Sequence, residues 1–440
     1  MRRVYLLAAA MLLAVACSRP TKSSSPRPSG AADANSDPSP GQGDAADAST
    51  DPSPDQTDAT DTDTDPTPSV PLSPLPGELY YMQLGLSGLA LGEAAIIVGP
   101  DGKIVLVDVG NDSHADDLHA AIDATIDAMN AAGFVPRQHG VIDDIILTHH
   151  HADHTNGLAQ LLELVQVSGR VIHRGYYDVG AVDASTFESS CAALAARPSL
   201  ELALCSGAAR APCATGSWQG TYPVTSCSPE VADALLSFGA EAGIHIFALN
   251  GIIDGQPYGT LPTDTHGENA RSMVALVRRG DFRLLLGGDL TGGGSSTPPV
   301  EGFFAPYLGS AAGIDILGVD VLHAGHHGRK TSSSQPWIDA LLPRDGRSRN
   351  AIMGVSEGHV NSPHDEVLEI LLSASRLREG FAWTTLVALF GSRSAGLIDA
   401  EGGSVVLRTH LAGKMYDIQA VSRGGAVITA QRYPSVHAGQ

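Results

Sequence analysis

Residues Asp144–Thr148 read DIILT, a short apolar run of the kind buried in a sheet, and lead directly into His149-His150-His151-Ala152-Asp153-His154. Beyond this cluster Leu158, Leu161, Leu162 and Val165 keep the i, i+3, i+4, i+7 spacing of an amphipathic helix. The strand therefore delivers His149, His151, Asp153 and His154 to its end and the following turn. Imidazole and carboxylate are ligands that Zn2+ accepts. Four such groups exceed the three protein ligands usual for one catalytic ion, so this segment alone predicts two ions. A chance surface histidine run would not put Asp153 in phase or stand between a strand and a helix.

The surrounding chain alternates short apolar runs with turns and helical stretches. Leu79–Leu84, Ala94–Val98 and Ile104–Val107 read as strands, and Asp116–Ala132 as a helix ending at Gly133. Strands resume at Ile244–Leu249, Ser272–Val277, Phe282–Leu286, Ile316–Leu322 and Ala351–Val355, with helices near Gln335–Leu342 and Pro363–Leu377. Ser404–Arg408 and Met415–Ala420 are β-like, with a turn at Ala412-Gly413-Lys414. Two blocks of strands with interspersed helices predict an α/β layered domain over 77–380, followed by a β-rich C-terminal extension over 381–440.

Residues 1–17 combine Arg2 and Arg3, an apolar run from Val4 to Ala16, and Cys17 after small residues. This reads as an export signal whose Ala14-Val15-Ala16-Cys17 ending resembles a bacterial lipoprotein box, with a membrane anchor through a lipid on Cys17. Residues 18–76 are Ser, Pro, Asp, Thr, Ala and Gly with almost no large apolar side chain before Val70, which predicts a disordered tether. The other cysteines, Cys191, Cys205, Cys213 and Cys227, fall in an insertion over 175–240. Outside the cytoplasm an even local set predicts two disulfides, and the spacing lacks the C-x2-C pair of a zinc knuckle.

The net charge is −21, of which −5 lies in residues 1–76, leaving −16 on the domain. That excludes a protein whose main task is gripping phosphate backbones over a broad basic face. It disfavours DNA as a substrate without ruling out a phosphodiester. Arg329-Lys330 is the basic cluster nearest the expected site, and no protein partner is evident.

H-x-H-x-D-H after a strand resembles the signature of the metallo-β-lactamase superfamily. Several further segments are similar, in order and wording, to the hydrolase domain of ComEC-type competence proteins. These are Glu268-Asn269-Ala270-Arg271-Ser272, Leu286-Gly287-Gly288-Asp289-Leu290 and Val321-Leu322-His323-Ala324-Gly325-His326-His327-Gly328, while Gly92-Glu93-Ala94 and Leu106-Val107-Asp108-Val109-Gly110 look like the superfamily's opening hairpin and buried aspartate. The resemblance covers roughly residues 79–375. It implies a four-layer αββα sandwich and two Zn2+, with Mn2+ the alternative ion. His149 and His151 would hold one ion, Asp153 and His154 the other, and Asp289 would bridge them.

His326, or else His327, would complete the second ion's set of ligands, the other contacting substrate or donating a proton. Asp108 is implied as a residue that orients the site. The third histidine of the first ion is open between His173 and His266, with His245 read as a packed core residue. In Gly358-His359-Val360-Asn361-Ser362-Pro363-His364, Ser362 stands where the resemblance puts a histidine, so His364 or His359 takes its place. Asp153, His327 and His364 are the residues expected nearest the chemistry, in a hydrolase whose metal-bound hydroxide attacks a phosphodiester. Other esters (phosphorylcholine, a lactone, a cell-envelope component) are the alternative, and a non-catalytic surface binding protein the least favoured.

Overall fold

Continuous apolar runs such as Ala-Ile-Ile-Val and Ile-Val-Leu-Val form strands because both of their faces are covered. The structure, a computed structural model, describes residues 70–439 except 175–183, 198–200, 205–235, 311–315, 387–395 and the short positions 240, 295, 360, 374–375 and 378–379. The export signal, Cys17 and most of the expected tether lie outside the described residues. The tether expected to run to Pro76 ends earlier. Leu72 is buried, and its N–H donates to Gln419 Oε1 at 2.8 Å.

Among the described residues, one sheet runs in the order Val427–Pro434, Met415–Val421, Ser404–His410, Tyr80–Gln83, Ala95–Val98, Ile104–Val107, Asp144–Leu147, Arg170–His173 and Glu201–Leu204. It is antiparallel as far as Ile104–Val107 and parallel beyond. The second sheet runs Gln256–Pro257, Ile252–Ile253, Ala242–Leu249, Val274–Arg279, Phe282–Leu286, Val321–His323, Asn350–Met353, Ala382–Thr384 and Leu397–Asp399, with Leu236–Ser237 beside Ala242–Leu249. From Phe282–Leu286 onward it is parallel.

Alternation along each strand sorts side chains between two cores. Ile97, Val105, Ile146 and Val405 pack between the sheets against Ile244, Val277, Leu284 and Trp383. Ile96, Leu106 and Ile145 face the helices Ala115–Ala131 and Leu158–Leu164. Leu285, Leu322 and Ala351 face Gln335–Leu341 and Asp365–Leu371. The result is the helix–sheet–sheet–helix layering expected, and each fully buried aliphatic side chain contributes about 1.5–3 kcal/mol.

Two expectations change. The residues read as a C-terminal extension, 381–440, are strands of both sheets: Ser404–His410 pairs with Tyr80–Gln83, and Ala382–Thr384 with Asn350–Met353. Long-range pairing of this kind leaves no local mark in sequence. The strand expected at Ile316–Leu322 begins only at Val321. In the insertion, Cys191 is buried on the helix Ala184–Ala195, while Cys205, Cys213 and Cys227 lie outside the described residues. No helix among the described residues is long and apolar enough to cross a membrane.

The carboxyl ends of parallel strands from both sheets open on one edge. Ile104–Val107 leads to Asp108, Asp144–Leu147 to the histidine cluster, Phe282–Leu286 to Asp289, Val321–His323 to His326-His327, and Asn350–Met353 to His359.

Candidate metal centre

Tight backbone aims the side chains. Asp108, His326 and His327 all adopt left-handed backbone, φ 56°, 54° and 54°. Each such non-glycine residue costs on the order of 1–3 kcal/mol, strain of the kind that clusters at functional sites. Before Asp289, Gly288 sits at φ +51° with Thr148 already at contact distance from where a Cβ would stand. A larger residue there would push Asp289 off the strand end.

Asp289 lies at the middle. His154 Nε2 is 3.3 Å from its Oδ1, while His326 Nε2, His149 Nε2 and His327 Nε2 are 3.6, 3.7 and 3.9 Å from its Oδ2. His149 Nε2 and His151 Nδ1 are 3.1 Å apart. Asp153 Oδ2 faces His327 Nε2 at 3.3 Å and His359 Nε2 at 3.8 Å. Three overlapping donor groups result: His149, His151 and Asp289; Glu93, His154, Asp289 and His327; and Asp153, His327 and His359.

The donors fit divalent metal on three grounds. Two atoms bound tetrahedrally to one zinc at 2.0–2.1 Å stand about 3.3 Å apart, close to the separations between groups here. The opposite ring nitrogens are each tied to an oxygen: His154 Nδ1 to Asp108 Oδ2 at 2.7 Å, His327 Nδ1 to Glu93 Oε2 at 2.7 Å, His326 Nδ1 to Thr331 Oγ1 at 2.8 Å, and His359 Nδ1 to Ser356 Oγ at 2.8 Å. Behind His154 and His327 the partner is a carboxylate, which puts the proton on Nδ1 and turns the Nε2 lone pair to the centre, the arrangement found behind metal-binding imidazoles, whereas at His359 the Ser356 N–H donates to Nδ1 at 2.9 Å. Finally, His154 Nε2, His327 Nε2, His359 Nε2 and Asp289 Oδ1 are sealed from solvent and make no hydrogen bond. A cation is the natural partner for such atoms.

Electrostatics agree. Burial works against the Asp289 carboxylate, but His154, His326, His327 and His149 outweigh it and hold the group well below the usual range. Asp153 behaves alike: burial works against its carboxylate, but the facing His327 and His359 rings and the charge of His154 hold it well below the usual range. Burial pushes His154 down, yet Asp289 and Asp108 raise it well above an ordinary imidazole. His327 is likewise raised to about 10 by Asp289 and Glu93 against burial. Protons on these two rings supply positive charge that a bound cation would displace. Burial lowers His326 and His359 to about 4, so both rings are neutral at pH 7.

Of the residues expected from sequence, His149, His151, Asp153, His154, Asp289, His326 and His327 come together. The last pair divides the other way from the sequence reading: buried His327 belongs to two donor groups, whereas His326 belongs to none and is the more exposed, at 16% against 1%. His364 stands apart. It is the partly exposed N-cap residue of Asp365–Leu371, its N–H donating to Gly328 O at 2.9 Å. His359, three residues before Ser362, is the histidine that reaches the site, carried by a turn with Asn361 at φ 63°.

His173 packs its ring on His150 at 5.4 Å, His266 lies 3.3 Å from Ser296 Oγ, and neither joins a donor group. His245 is buried in the Ala242–Leu249 strand. Sequence reasoning missed Glu93 and His323, which bond each other at 2.9 Å. The signal available was a glutamate opening an otherwise apolar strand.

Glu301 fastens the far side. Its buried carboxylate accepts from the Ser333 and Ser334 N–H groups at 2.8 and 2.6 Å, joining the segment after Asp289 to the one that carries Thr331. Burial pushes it up to about 7, with those amides pulling the other way. An acid raised on folding from about 4.3 binds protons more readily when native, so its effect on stability worsens as pH rises through that window. In Glu301→Gln this slope is expected to vanish: the difference in urea midpoint between pH 5 and pH 8 shrinks relative to wild type. An unchanged difference would rule this out.

Comparison with known proteins places this geometry. The family model for the metallo-beta-lactamase superfamily matches residues 90–378. Among solved structures, a metallo-beta-lactamase HARLDQ motif mutant from Cronobacter sakazakii is 17% identical, covering 59% of this chain and 81% of that one, TM-score 0.26. The metallo-beta-lactamase SMB-1 bound to 2-mercaptoethanesulfonate is 14% identical, covering 63% and 85%, TM-score 0.27. Rubredoxin oxygen:oxidoreductase from Desulfovibrio gigas is 14% identical, covering 53% and 47%, TM-score 0.24. A comparison with curated proteins finds no match. Scores this low leave the family model, not these structures, to place the chain. With that model covering two thirds of the chain and all three donor groups, the chain belongs to the metallo-β-lactamase superfamily.

Proposed function

We propose that this chain is an exported, lipid-anchored di-zinc hydrolase that cleaves phosphodiesters. The observation that carries the reading is the Asp289 carboxylate, shared between two donor groups with buried imidazoles on both of its oxygens. A shared carboxylate suits two cations close together, the arrangement that clamps both the attacking and the leaving oxygen of a displacement. The ComEC-like segments support the same substrate class, and the −16 domain charge favours small diesters over long DNA.

His149, His151 and Asp289 would hold one ion, and Asp153, His154, Asp289, His327 and His359 the other. Bound there, two divalent cations supply Lewis acidity and a water acidic enough to attack at neutral pH. The protein's own part is orientation. Asp108, Glu93 and Ser356 lock the rings behind His154, His327 and His359, and burial keeps competing water away. His326, held at Nδ1 by Thr331 and nearer solvent than its neighbour, is placed to contact the substrate.

The test is direct. The purified chain loaded with zinc is expected to bind two ions and to turn over bis(p-nitrophenyl) phosphate, with nitrocefin untouched and an Asp153→Ala variant as background. Turnover no higher than that variant, with less than one ion per chain, sinks the proposal.

A further inference from the structure

In an acidic domain, cations find carboxylates. Arg137, Arg174, Arg349, Arg376, Arg423 and Arg432 each reach an Asp or Glu. Arg329, like Arg278, Arg344 and Arg408, does not: among the described residues no carboxylate lies within salt-bridge reach of its guanidinium, and its Nε, closed off from solvent, makes no hydrogen bond; of these four only Arg329 follows the histidine pair. Its position sharpens the contrast. Arg329 follows His326-His327-Gly328, donates its backbone N–H to His326 O at 2.8 Å, and turns outward in extended backbone, φ −78°, ψ 148°. Its charge acts on rings from both walls of the mouth: after burial, it is among the causes that lower His326, His359 and His364. The neighbouring Lys330 is turned to Glu366 at 3.6 Å and is exposed. A partly exposed guanidinium next to the histidine pair, with no carboxylate in reach, is free to take an anion from outside.

We propose that Arg329 is the substrate-binding residue for an anionic, non-bridging phosphate oxygen, which makes the substrate a phosphodiester monoanion rather than a neutral ester. This rests on the hydrolase reading above. A planar guanidinium presents paired N–H groups that match phosphate oxygens, where a lysine offers only a point charge. In the reaction, water adds to phosphorus, one P–O ester bond breaks, and the leaving oxygen takes a proton. The products are a phosphomonoester and an alcohol, with no oxidant or second reactant.

The experiment uses the full zinc-loaded chain with Arg329→Ala and Arg329→Lys. Three probes are compared: bis(p-nitrophenyl) phosphate, p-nitrophenyl acetate, and inorganic phosphate titrated by calorimetry. Loss of a charge-assisted hydrogen bond is expected to lower kcat/KM for the diester about 10- to 100-fold in the alanine variant and to weaken phosphate binding by a similar factor. Turnover of the neutral ester should stay within about twofold and zinc content at the wild-type level, with lysine recovering part of the loss. Equal losses on both esters, or unchanged phosphate affinity, overturn the assignment. If wild type cleaves neither ester, the hydrolase reading fails, and the phosphate titration alone decides for or against Arg329. Thymidine dinucleotide against a long single strand then separates small from polymeric diesters.

Discussion

Asp289→Ala is expected to drop metal content from two ions to less than one per chain and to lower hydrolysis at least about 1000-fold, or about 4 kcal/mol of barrier. Four imidazole nitrogens lie 3.3–3.9 Å from its two oxygens, so no other residue shares so many donors. The loss should not be confined to one ion, because Asp289 belongs to donor groups on both sides. Asp289→Asn separates charge from shape. It fills the same space but cannot neutralise two cations, so it should lose metal almost as completely. Elemental analysis after gel filtration reads the stoichiometry, and two ions retained by either variant would refute the shared position. The variants also test the field of the centre. The charge of Asp289 is among the causes that raise His154 and His327, so both rings should titrate lower by NMR when it is removed.

The legible part of this protein is the part whose residues act close together in sequence. Asp144–Leu147 and the four residues of His149–His154 that carry chemistry can be read without a structure, because one strand end sets both burial and ligand spacing. Asp289 was legible only through the family resemblance, since one aspartate three residues past the strand Phe282–Leu286 names no ligand by itself. The strand Val427–Pro434 was not, since its mixed burial gives neither alternation nor an apolar run. The placement of Ser404–His410 beside Tyr80–Gln83 was hidden by a separation of more than 300 residues. The order of His326 and His327 was equally closed to sequence. Two successive left-handed residues reverse which ring faces inward, and no spacing rule anticipates that. His359 came into reach only through the shape of its turn.

Glu93→Ala is expected to destabilise the protein by about 3–5 kcal/mol and to weaken the second ion's affinity about 10- to 100-fold. Glu93 is a positioning residue: its Oε1 lies 2.9 Å from His323 Nε2 and its Oε2 2.7 Å from His327 Nδ1, so one carboxylate spans two imidazoles. Its backbone adds to this hold, the N–H donating to Asp153 O at 2.9 Å. Removing the side chain leaves two buried rings without their anion and His327 held at Nδ1 by Gly354 O alone, at 2.9 Å. Burial alone would raise Glu93, but His323 and His327 outweigh it and hold the group well below the ordinary glutamate range. A depressed acid stabilises the fold above its unfolded value of about 4.3 and loses that effect as pH falls through its folded value. Wild type should therefore lose stability below pH 4.3 more steeply than Glu93→Ala in urea denaturation. Glu93→Gln distinguishes positioning from bulk, because it preserves volume and one acceptor oxygen while losing the charge. Chelator competition on the folded variant should still show weakened zinc, with Glu93→Asp recovering part of it. Full zinc affinity in the glutamine variant would mean that His327 is held by packing, and Glu93 would then be a structural acid only.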